Sequence, residues 1–317
     1  MKMFKLKEGY QLAVLRIGVA IAILTKVFVE FSELDLMYSR NGIVQDVLSR
    51  PLEVSYVLSL HGLSDFLHIQ DQHVFLNSIY IVLAVAALLL LVGFQTKLNV
   101  FICLLIHIMV FNSYNLIAFG FDGFLFSLLF YCLIFPTHKV YTIDQLMDKK
   151  HRPLDAAQLS LFLGVVQVHL CIVYFTAGYS KLGGQEWMNG TAIWKAINQP
   201  QFYTAFTPLI KSLACYPVIS YALTWGTLLA ETAFPFLIWI KWAKVRAVIL
   251  ISIVMMHIFI AVVMGLQLFA WIMIVFDLSA FAGILFKAET VKKVKPEQDP
   301  DPLSYQLINT PAIRQSV

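Results

Sequence analysis

Between Tyr10 and Phe286 the sequence returns repeatedly to apolar runs of about 20 residues, separated by short polar turns or by two longer loops at 32–72 and 183–216. A run of that length, wound as one helix at 1.5 Å per residue, reaches across a hydrocarbon layer of roughly 30 Å. No water is available there to satisfy the backbone, so each run must be a helix or belong to a closed barrel. These runs are too long for barrel strands. The reading is an all-α, polytopic transmembrane bundle of about eight spans, at 10–31, 74–94, 98–119, 122–135, 157–182, 218–240, 247–264 and 266–286. With 59% apolar and 13% charged residues and a mean hydropathy of +0.76, the chain is far more apolar than a soluble domain. The run at 122–135 is short for a crossing, closes at Pro136, and would need local thinning of the bilayer or packing inside the bundle.

Loop charges suggest an orientation. Lys97, Lys139, Lys149, Lys150, Arg152, Lys241, Lys244 and Arg246 gather at one side of an eight-span arrangement, together with the ends of the chain, while loop 32–72 is acidic. Both termini are therefore expected in the cytoplasm and the two longer loops on the outer face. The basic start Met1 to Lys7 resembles a signal peptide, but the apolar run after it is long and lacks a small-residue cleavage site, so it is read as a retained first span. Residues 1–290 form the expected membrane domain, and 291–317 a polar, disordered cytoplasmic tail. The net charge of +4 itself says little, since what counts is where the charges lie relative to the spans; the apolar runs imply a lipid bilayer as partner, and no nucleic acid is implied. The four cysteines are scattered and form no CxxC pair.

Ionisable side chains inside a membrane are costly unless paired or hydrated, so each marks a candidate site. Here they are Arg16, Lys26, His107, Asp122, His169, Lys181, Glu231, His257 and Asp277. Lys26 and Glu30 are spaced for an i, i+4 pair. Gln167, Tyr174 and Lys181 recur every seven residues and share a helical face expected to point into the bundle. Lys181 could be a partly desolvated base oriented by Tyr174 and Asp122, or a lysine that snorkels to the interface from a span end. Glu231 has Thr227 and Thr224 on its face and needs a Lys or His from a neighbouring span as partner; a structural interhelix bond is the alternative. His107, His169 and His257 sit at mid-depth on three spans. They fit either a metal or haem site or separate cross-helix bonds, and no metal is assigned. Asp277 could pair with one of them. By depth, Lys181, Asp122 and the Asn112 to Asn115 cluster all fall at the outer side.

The run Val173-Tyr174-Phe175-Thr176-Ala177-Gly178-Tyr179-Ser180-Lys181-Leu182, followed by Trp187 and Gly190, resembles the V-Y-x-x-A-G-x-x-K-L…W-x-x-G signature of the HTTM superfamily. Phe121-Asp122-Gly123, Tyr141-Thr142-Ile143-Asp144, Glu231 with Pro235, and His257 also match, so the similarity extends over most of the membrane region. The superfamily includes the vitamin K-dependent gamma-carboxylases. Their motif lysine, the base linked to oxidation of a hydroquinone, maps onto Lys181. Their second catalytic element, a histidine, falls at about Asp122, and their lumenal domain has no counterpart in this sequence. The resemblance implies catalytic roles for Lys181, Asp122, Tyr174 and Glu231, and contacts to a lipophilic quinone or hydroquinone from Asn112, Asn115, Trp187 and His257. A secreted peptide or partner protein on the outer face, and a bacterial inner membrane, are further expectations. A non-enzymatic scaffold or a transporter is the alternative.

Overall fold

In the computed structural model, residues 8–39, 42–43, 45–148 and 154–286 are described, and among them there are only helices, turns and coil. Eight principal helices stand where the apolar runs predict them. They are α1 Tyr10–Glu30, α2 Gln72–Val92, α3 Thr96–Ser113, α4 Gly120–Ile134, α5 Ala156–Leu182, α6 Pro217–Leu237, α7 Ala243–Met264 and α8 Gln267–Phe281. Six of them are long and apolar enough to cross a bilayer alone. The exceptions are α4, which has 15 residues, and α6, which qualifies together with the short helix Thr207–Ala214, from which it is bent by 106°. The expected tail at 291–317, the terminal positions that fix orientation, and Lys149, Lys150 and Arg152 lie outside the described residues.

The bundle divides into α1–α4 and α5–α8, joined along α1 and α8. Gly18 makes that seam possible, because a Cβ there would lie 2.4 Å from Val275 Cγ2. Trp271 Nε1 donates to Gly18 O at 2.9 Å. The outer helices show the complementary pattern. On α5, Leu161, Val165, Val168, Ile172, Phe175 and Tyr179 are exposed at helical spacing, while Leu159, Val166, Leu170, Tyr174 and Gly178 are buried. An apolar stripe turned outward is what a lipid-facing helix requires.

Helix ends away from the long loops are fastened by charged side chains. Fully buried Arg16 donates from Nη1 to Leu90 O (2.5 Å) and Leu91 O (2.6 Å), and from Nη2 to Tyr141 O (2.8 Å). It thus supplies a charged donor to the carbonyls at the end of α2, where Leu90 O also accepts from Gly93 N at 3.1 Å. Lys97 Nζ does the same for α4 through Cys132 O (3.2 Å), Leu133 O (2.5 Å) and Phe135 O. Asp144 accepts the N–H groups of Gln95 and Thr96 at the start of α3, both at 2.7 Å. At the opposite, loop-rich end, Asn112 Oδ1 accepts from Val54 N (2.9 Å), Ser113 Oγ from Leu60 N (2.7 Å), and Asn115 Nδ2 donates to Leu52 O (2.9 Å). A short helix, Leu60–Phe66, lies within this loop.

Candidate functional site

Lys181 sits in the last turn of α5, and reaching a partner on α6 requires the two helices to approach closely. Gly178 allows it: a Cβ at this position would lie 2.5 Å from Thr232 Cγ2 and 3.1 Å from that residue's backbone. Lys181 Nζ then donates to Glu231 Oε2 at 2.5 Å. The side chains are 22% and 10% exposed, so the pair is largely withdrawn from solvent.

The segment after α5 covers this pair. Gly190 has φ +71°, a left-handed conformation open to glycine, and any Cβ there would collide with the Tyr221 ring at 2.0 Å. Its carbonyl accepts from Ser220 Oγ (2.9 Å) and Thr224 Oγ1 (3.1 Å), which fastens the segment to α6. Trp187 is thereby held with its ring centroid 5.3 Å from Lys181 Nζ, in cation–π range. Ala-Gly, Lys and Trp-x-x-Gly in the signature therefore have separate tasks: helix approach, charge, and cover.

Two turns before Lys181 on the same face, buried Tyr174 donates to Asp277 Oδ1 at 2.9 Å and lies 2.9 Å from His257 Nε2. A phenol has one hydrogen, so these contacts are satisfied together when His257 Nε2–H donates to the phenol oxygen and the O–H donates to Asp277. Among the described residues, His257 Nδ1 and Asp277 Oδ2 are left buried without a hydrogen-bond partner. Gln167, the third member of the heptad face, donates to Ala280 O of the segment after α8 at 2.8 Å, so that face does point into the bundle. Both groups border one cavity of about 270 Å³. Its polar wall is Lys181, Glu231, Tyr174, His257 and Thr227, and the remainder is apolar, with Met256, Phe269 and Met273 among the lining. The arrangement sets an amine and a carboxyl in hydrogen-bond contact at the edge of a mostly apolar cavity.

Asp122 is elsewhere. It caps α4 by accepting Phe119 N at 3.1 Å, and its nearest cation is Lys26 at 3.7 Å. Lys26 is bound to Glu30 at 2.6 Å, the predicted i, i+4 pair, and Glu30 also accepts from Tyr38 (3.0 Å) and Tyr80 (2.7 Å). The structure thus corrects the expectation that Asp122 orients Lys181: α4 contributes Phe124, not Asp122, to the Lys181 cavity. Asn112 and Asn115 likewise hold the first loop and do not border the cavity, because similar depth on different helices does not make side chains neighbours. Lys181, Tyr174, Glu231, Trp187 and His257 are brought together. The three histidines have separate partners: His107 the Asp122 carbonyl (2.9 Å), His169 the Tyr131 hydroxyl (2.7 Å), and His257 Tyr174. No cluster of three metal-type ligands occurs among the described residues. From the sequence, Asp277 reads only as a possible histidine partner. Being the sole carboxylate in the 266–286 run, it carried the signal that could have placed it in the site.

The HTTM domain model matches residues 4–282. An uncharacterized protein, YitO of Bacillus subtilis (strain 168), is 32% identical over 114 residues, a match covering 34% of this chain and 35% of that protein. No solved structure matches.

Proposed function

We propose, for a chain that belongs to the HTTM family of membrane proteins, an enzymatic role in which Lys181 acts as a base on a lipophilic substrate held in the apolar cavity beside it. The observation that carries this reading is the Lys181–Glu231 contact at 2.5 Å in the wall of a mostly apolar cavity of about 270 Å³. A pair of that kind is costly in a membrane, and ionisable groups there are functional candidates. Lys181 Nζ, after passing a proton to Glu231, is a free amine able to take one from the substrate.

A quinol head group suits the lining. The walls are apolar, Lys181 offers a charge-bearing donor, and His257 Nδ1 is a buried nitrogen without a partner. A bound hydroquinone would supply an oxidisable ring with an ionisable hydroxyl. The chain's own residues would orient it, with Trp187 covering the Lys181 side and Tyr174 and Asp277 holding His257 in place. The volume is at the small end for ligand sites and suits a head group more than an entire lipophile. A peptide substrate on the outer face of a bacterial inner membrane would meet the segment carrying Trp187.

Native mass spectrometry from mild detergent tests the reading, comparing the natural protein with Lys181→Met and Glu231→Gln. We expect a retained quinone-class mass, or turnover of added quinol or a co-expressed peptide, that is lost in both variants. Lys181-independent retention and no turnover would overturn the assignment.

A further inference from the structure

We propose that the groove between α4 and α5 is a binding site for a hydroxyl-bearing lipophile, separate from the Lys181 cavity. The groove has a volume of about 720 Å³ and is lined by Tyr131 of α4 and by Leu161, Gly164, Val168 and His169 of α5. The two helices are bridged there by the Tyr131–His169 hydrogen bond at 2.7 Å and by Phe135 stacked on Phe162 at 4.6 Å. Gly164 leaves its floor low, since a Cβ there meets nothing within 4 Å.

His169 makes the groove more than a gap for acyl chains. It lies thirteen residues from Ala156 and thirteen from Leu182, the middle of α5. At 1.5 Å per residue it is about 20 Å from either end, so it falls within the hydrocarbon layer whichever way the chain is inserted. Nδ1 is engaged by the Tyr131 hydroxyl, whereas Nε2 has no hydrogen-bond partner among the described residues. A ring nitrogen facing hydrocarbon without a partner is unfavourable. If Tyr131 donates to Nδ1, Nε2–H is a free donor; if Nδ1–H donates to Tyr131, Nε2 is a free acceptor. A hydroxyl satisfies either tautomer, while the apolar flanks at Leu161 and Val168, both exposed, suit the aliphatic tail.

The test uses full-length protein in phosphatidylcholine nanodiscs with two photoreactive probes, a long-chain alcohol carrying a diazirine in its chain and the matching alkane. We expect the alcohol to label residues 160–172 about fivefold more than the alkane, as a hydrogen bond of ordinary net strength gives. His169→Phe should bring the two probes level. Gly164→Leu, which fills the groove and leaves His169 in place, should lower labelling by both. Equal labelling by the two probes in the natural protein, or alcohol labelling unchanged in His169→Phe, would reduce the groove to a bed for annular lipid and sink the proposal.

Discussion

Removing one member of the Lys181–Glu231 pair should cost more than removing both. At 2.5 Å and an effective dielectric near 20, Coulomb attraction is about 7 kcal/mol. Much of this is offset by desolvation of two side chains that are only 22% and 10% exposed. What persists on breaking the pair is an uncompensated charge beside an apolar cavity, costing roughly 3–5 kcal/mol. Glu231→Gln and Lys181→Met are therefore each expected to destabilise strongly, and the double variant to recover part of the loss, with a coupling of about 2–4 kcal/mol. SDS titration of the folded protein in mixed micelles, read by loss of tryptophan fluorescence, supplies the four free energies. A coupling below about 0.5 kcal/mol would mean that the two groups do not depend on each other, and the pair would lose its place at the centre of the site.

Two further outcomes concern packing and pH. Gly178→Ala should push α5 from α6, costing about 1–3 kcal/mol and loosening the Lys181 contact, whereas Gly226→Ala on α6, where a Cβ meets nothing within 4 Å, should be harmless; thermal unfolding of both variants makes the comparison. His138, in the connection after α4, is held below its ordinary value of 6.5 by burial and then by the Lys97 and Lys139 charges. The unfolded chain then binds more protons than the native one as pH drops through 6.5, so stability should decline on acidification. His138→Gln should flatten that slope between pH 7 and 5, and an unchanged slope in that variant would refute the assignment.

Much of this architecture can be read from the sequence, because hydrocarbon imposes one rule on every span. Run length and polarity place the eight helices, and a seven-residue spacing puts Gln167, Tyr174 and Lys181 on one inward face. Periodicity reports depth and face along a helix but not which helix stands opposite. Depth alone groups Asp122 and Asn112 with Lys181, although α4 turns Asp122 toward α1 and Asn112 is occupied with loop carbonyls. The Glu231 partner was legible as a class, Lys or His, from the cost of an unpaired carboxyl. Choosing Lys181 depended on Gly178, whose meaning emerges only once α6 is seen against it. The Tyr38, Tyr80 and Glu30 cluster joins residues from three segments and leaves no local pattern to read.

The seam between α1 and α8 bears on how the molecule is made. Gly18 accepts from Trp271, and Tyr10 donates to Phe286 O at 3.0 Å, so α1 packs against α8 across all the principal helices that lie between them in sequence order. Arg16 can find its α2 carbonyls as soon as the first hairpin forms, because Leu90 and Leu91 are already in the membrane. The Gly18 face has to wait for α8. Assembly is thus local at first and closed by contacts of very long sequence separation, the kind that form late. Until α8 arrives, the Gly18 face of α1 lacks the Val275 surface it packs against.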